Sequence, residues 1–107
     1  MSKEMNEAIK LIEKGWVRNA TAIDKDENDV APSSDEAVAW CPLGALERVC
    51  GKNKKLFNKL ITQVAVAIVC EGKDLDADEI VSSYNDYTAK SKKQVVEILK
   101  KASKIKI

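Results

Sequence analysis

The chain has 107 residues, 45% of them apolar and 33% charged, with 18 basic against 17 acidic side chains and a formal net charge of +1. That length suits one domain spanning 1–107, with a modest core and no room for a second. Histidine is absent, which removes Ser-His-Asp and Cys-His nucleophile activation, histidine acid–base catalysis and histidine-containing zinc sites.

Other patterns narrow the reading further. No run approaches the roughly 20 apolar residues of a membrane span, and residues 1–10 carry no secretory apolar core. Neither the P-loop nor the dinucleotide-binding glycine pattern occurs. Three cysteines at irregular spacing do not make a disulfide framework. They read as thiols in a reducing cytoplasm, so a cytoplasmic location is expected.

In chain order, Lys3–Lys14 reads as an amphipathic helix with Met5, Ala8, Ile9 and Ile12 as its apolar stripe. Gly15 is expected to stop it, and Trp16 to anchor the core. From 16 to 23 the period changes to alternation with β-branched residues, predicting a short strand. A polar turn over 24–29 leads to Val30-Ala31, expected to pair back as a second strand. Ser33 stands three residues before Glu36, a capping-box spacing that predicts a short helix over 34–39.

The run Trp40-Cys41-Pro42-Leu43-Gly44-Ala45-Leu46 is the densest apolar stretch of the first half. Pro42 fits a first helical turn, which predicts a break at Cys41 and a helix over Pro42–Cys50. Gly44 and Ala45 are small enough to admit a neighbouring helix, and Gly51 supplies a stop. Asn53 is expected to cap a long helix over 53–71, closed by Gly72. Leu56, Phe57, Leu60, Ile61 and Val64 form its inner face. Residues 64–70 are apolar all round, predicting a central buried helix or a face for a second copy. Asp76 caps a shorter helix through Ile80, Val81 and Tyr84, which Asn85-Asp86 should stop. Ser91 and Gln94 form a capping box for the last helix, with Val95, Ile98, Leu99, Ala102 and Ile105 inward. The expected class is mainly α (α+β), four to six helices around a central buried helix, with one small β-hairpin near 17–31.

Several of these residues together resemble a known family. They are Gly15-Trp16, Asp24-x-Asp26, Ala37-Val38-x-Trp40-Cys41-x-x-Gly44-Ala45-Leu46, Tyr84-Asn85-Asp86, Ser91-x-x-x-Val95 and Leu99-x-x-Ala102. The pattern is similar to a small uncharacterised family, a domain of unknown function found in bacteriophage and bacterial genomes. Tyr84 stands where that family more often has Trp, and the Asp24 turn lacks its usual glycine. The resemblance implies a shared fold and a phage or mobile-element setting, and it implies no activity.

Candidate chemistry is sparse. Cys41 at a helix N-terminus could be a reactive thiolate, but a buried small side chain beside Trp40 is favoured, so no catalytic residue is assigned. Asp24-x-Asp26-x-Asn28 resembles the start of a calcium loop. Asp29 occupies the position that needs glycine, so a polar turn is favoured and no metal or cofactor is expected. The candidate binding residues are Tyr84, Asn85, Asp86, Lys92, Lys93 and Lys100. Tyr84, Trp16 and Trp40 could stack a base, although core anchoring is the stronger reading for the tryptophans.

Charge is uneven. Six acidic residues face Lys25 alone over 24–36, while seven lysines face Glu97 alone over 87–107. The leading expectation is a non-enzymatic accessory protein, phage-derived, binding a protein partner or a second copy of itself as a homodimer. A first alternative is nucleic-acid binding through the lysine-rich last helix, disfavoured because only Arg18 and Arg48 are arginines. A second is a small enzyme using Cys41 or the Asp24, Asp26 and Asp86 carboxylates. No membrane partner is expected.

Overall fold

A computed structural model describes residues 3–69 and 76–105. The closing turn expected at Glu71 and Gly72, and the end of the 64–70 run at Cys70, lie outside the described residues. Five α-helices and a two-stranded antiparallel sheet make up the described fold: α1 (Lys3–Lys14), β1 (Ala22–Ile23), β2 (Ala39–Trp40), α2 (Pro42–Cys50), α3 (Lys54–Val69), α4 (Ala77–Ser83) and α5 (Lys92–Ser103). A π-helical turn, Tyr84–Thr88, joins α4 to α5. The class is mainly α, as the sequence predicts.

Helix α1 buries Met5, Ala8, Ile9 and Ile12, the predicted stripe. Glu4 in its first turn and Lys14 in its last complement the helix dipole. It packs on α2 and α5, while α3 packs on α5, α4 and α2. Asn53 caps α3 as expected, its Oδ1 accepting from the Leu56 amide at 3.0 Å. Asp76 and Ser91 cap α4 and α5 through the amides of Glu79 and Gln94 at 3.3 Å each. Gln94 returns its side chain to the Lys90 amide, one residue before the box position, at 2.7 Å.

The apolar middle of α3 is covered inside one chain. Val64, Ala65 and Ala67 are buried in the core cluster, and Val69 is the exposed apolar residue of its last turn. The end of α5 turns inward as well, with Ile98 and Ile105 packed against the same cluster.

The chain between α1 and α2 departs from the sequence reading. The strand expected over 16–23 shrinks to Ala22–Ile23, because Asn19 takes a left-handed φ of 62° that breaks extended pairing. The turn does bring Asp29 back to Ile23 as an isolated bridge, with the Val30 amide on the Ala22 carbonyl at 3.1 Å. The sheet partner, however, is β2, in register Ala22–Trp40 and Ile23–Ala39. Residues 34–39 therefore form no helix. Ser34 Oγ accepts from the Glu36 amide in a local turn, and Ala39 continues into the strand.

Gly15 and Gly44 serve close approach. A Cβ on Gly15 would lie 2.2 Å from the Val38 carbonyl oxygen, and one on Gly44 would lie 2.0 Å from that of Thr21. What approaches Gly44 is loop backbone, not the helix expected there. Asn85-Asp86 does not stop α4 either. The helix widens through them into the π-turn, closed by the Ala89 amide on the Tyr84 carbonyl at 2.8 Å.

Trp40 is 4% exposed, its Nε1 donating to the Pro32 carbonyl at 3.0 Å and the Arg48 guanidinium lying 5.3 Å from its ring centroid. Trp40→Ala is expected to destabilise by about 3–5 kcal/mol, the cost of removing a large buried aromatic. A thermal melt displaced by less than a few degrees would show that the ring contributes little to the core.

Candidate functional site

The sequence-predicted site residues do not converge. Asn85 is 1% exposed and lies inside the fold. Its Oδ1 accepts from Trp16 Nε1 at 2.6 Å, and its Nδ2 donates to the Val17 carbonyl at 3.0 Å and to Asp86 Oδ1 at 3.1 Å. Asp86 Oδ1 also accepts from the Asn19 amide at 2.8 Å, which holds that residue in its left-handed conformation. The Asn-Asp pair thus fastens the 16–19 loop to the π-turn. A buried amide with its polar atoms paired is a structural tie.

Tyr84 faces elsewhere, into a shallow cavity of about 380 Å³ with Gln94, Glu97 and Lys101. Burial, with the Glu97 charge second, raises its phenol pKa. Lys92 donates from Nζ to the Glu13 carbonyl at 3.0 Å and so caps the last turn of α1. Lys93 and Lys100 are exposed and, seven residues apart, share the outer face of α5.

Both arginines have intramolecular partners. Arg18 lies 5.1 Å from the Trp16 ring centroid and donates to the Ala89 carbonyl. Arg48 stacks on Trp40 and donates to the carbonyls of Pro32 and Ser34 at 2.9 and 3.0 Å. Each tryptophan is therefore paired with a guanidinium from its own chain.

Cys41 is the N-cap of α2, its Sγ accepting from the Gly44 amide at 3.4 Å. Two backbone amides favour the thiolate, but burial outweighs them and lifts the thiol pKa from an ordinary 9.0 to about 11. The Asp86 carboxylate lines the same small cavity, about 220 Å³, and pushes in the same direction. Asp24 is committed to a turn, its Oδ1 accepting from the amides of Asp26 and Asn28 at 2.9 Å each. Asp86 thus reaches Cys41, while Asp24 and Asp26 belong to the separate 24–29 turn. Among the described residues no group of three His, Cys, Asp or Glu side chains could hold a metal ion.

A further concavity, lined by described residues, lies away from every candidate site residue singled out above. It is a cleft of about 680 Å³ between the Pro32 loop, the end of α2 and the start of α3, with Pro32 and Phe57 among its walls and Lys52 and Lys54 at its edge. Glu47 also lines it, and burial, with Asp78 second, raises its carboxyl pKa. Its residues come from two stretches, 32–33 and 47–58, and the second spans the turn between α2 and α3, so no single helical period marks them. The one available signal was Phe57, the single phenylalanine, half-buried beside Leu56 behind Lys54 and Lys55 in the first turn of α3.

Three outcomes follow for the buried Cys41 and Asn85. Cys41 is expected to label slowly with a thiol reagent at neutral pH, and rapid stoichiometric labelling would contradict its burial. Because its folded pKa lies above the unfolded value, its stabilising contribution is complete below about pH 9 and lost as pH rises toward 11. Cys41→Ala should flatten that part of the stability–pH curve. Asn85→Ala leaves the Trp16 N–H and the Val17 carbonyl without their partner and is expected to cost about 2 kcal/mol in a denaturant titration. An unchanged midpoint would show that water replaces the amide freely.

No helix among the described residues is long and apolar enough to cross a membrane. No curated protein and no solved structure matches the chain. The family of unknown function DUF6197 does match, over residues 3–105, and the chain belongs to that family.

Proposed function

We propose that the protein is a non-enzymatic interaction module that binds a protein partner in the cleft between the Pro32 loop and the start of α3. The cleft itself carries this reading. Its volume of about 680 Å³ falls in the range of ligand sites. No hydrogen-bonded nucleophile and base occurs among its described residues. The enzyme reading has less support, because Cys41 is buried with a raised pKa and the carboxylates do not converge.

The nucleic-acid reading rests on one observation, the lysines on the outer face of α5, including Lys93 and Lys100. Glu97 interrupts that face, and both arginines are engaged within the fold. A homodimer through α3 draws less support than its sequence suggested, since α2, α4 and α5 pack against it in one chain. The free buried thiols Cys41 and Cys50 accord with a reducing cytoplasm. The Trp40-Cys41-x-x-Gly44-Ala45-Leu46 pattern favours a phage or mobile-element setting.

A photo-crosslinking amino acid placed at Asn58, in the cleft wall, or at Lys100, on α5, separates these readings in producing cells. A discrete protein adduct from position 58 and none from position 100 is expected. Nucleic-acid adducts from position 100 would favour the α5 reading, and no adduct from position 58 would count against the cleft.

A further inference from the structure

We infer that the occupant of this cleft is an acidic segment of a partner protein carrying one bulky apolar anchor side chain. This rests on the reading of the cleft as the binding site and adds the chemistry of what fills it.

The anchor follows from the walls. Pro32 and the half-buried ring of Phe57 offer apolar surface, and a Cβ built on Gly51 would meet nothing within 4 Å, so the cleft is open on that side. The Pro32 wall is preformed. Its carbonyl receives two donors, Trp40 Nε1 at 3.0 Å and Arg48 Nη1 at 2.9 Å, both from groups packed in the fold. A wall already fixed lowers the ordering cost of binding.

The acidic character follows from charge at the edge. Lys52 and Lys54 are exposed beside the start of α3, a 16-residue helix with no acidic residue in its first turn. The partial positive charge of that helix end therefore adds to two ammonium groups. Glu47 alone opposes them in the lining. An apolar side chain seated between Pro32 and Phe57 would place flanking carboxylates within reach of Lys52 and Lys54. A basic segment would meet like charge there. Nucleic acid fits less well, because the walls are largely apolar and neither arginine is free to grip phosphate. The chain's own acidic turn cannot supply the anchor in a second copy, since Val30 is packed against its own core.

Three probe peptides test this on the intact chain: Ac-Glu-Asp-Trp-Glu-Asp-NH2, the same peptide with Ala for Trp, and Ac-Lys-Lys-Trp-Lys-Lys-NH2. Amide NMR titration is expected to show the acidic Trp peptide shifting Gly51, Lys52 and Phe57. Both other peptides should bind at least tenfold more weakly. The Lys52→Glu/Lys54→Glu variant, at exposed positions and checked for an unchanged melt, should lose binding at least tenfold and prefer the basic peptide. Equal or tighter binding of the basic peptide to the native chain overturns the acidic assignment while leaving the cleft as the site. Shifts confined to Tyr84 and α5 overturn both.

Discussion

The fold depends on one extended segment, residues 38–41, paired along both edges by chain that precedes it. The Trp40 amide donates to the Gly15 carbonyl at 3.0 Å, and the Trp40 carbonyl accepts from Val17 at 3.3 Å. On the other edge Val38 donates to Ile23 at 2.8 Å and Cys41 to Thr21 at 3.2 Å. Four hydrogen bonds on two sides leave this backbone little freedom, and unpaired backbone groups over its buried part, Ala39 to Cys41, would be costly. Those pairings require near contact of main chains, which is why Gly15 and Gly44 can carry no side chain.

The rest of the molecule is placed by that segment. Its end at Cys41 caps α2, so helix and strand share a residue. The Trp40 ring collects Arg48 and the Pro32 carbonyl, which sets one wall of the large cleft. On the far side, Trp16 is bridged to Trp40 and hands its indole N–H to Asn85, tying in the π-turn and with it α4 and α5. A residue outwardly suited to a binding surface, Asn85, is thus internal structure. The cleft arises where the loop fixed by Trp40 meets the start of α3.

The five α-helices were legible in the sequence because their signals are local, whereas the capping-box spacing at Ser33 pointed to a helix over 34–39 that does not form. The α1 stripe and the caps at Asn53, Asp76 and Ser91 each involve residues within one or two turns. The strand pairing was not legible, since the choice of Ala39–Trp40 over Val30-Ala31 depends on contacts that alternation cannot encode. Asn19 gave little warning of its left-handed φ, because the Asp86 carboxylate that stabilises it lies 67 residues away. For the same reason the site was the least legible part. Asn85 and Asp86 stood out as polar residues at a helix end, but their partners come from the first quarter of the chain. The cleft is assembled from segments that share no motif.

The most direct test of the dual-edge pairing of 38–41 is native-state hydrogen exchange at the amides of Val17, Val38, Trp40 and Cys41. Their exchange is expected to require global unfolding, with protection equal to that of the most protected amides in α1 and α3. Exchange of these four at the rate of exposed amides in the 24–29 turn would contradict it and would mean that the helices stand without the segment between them.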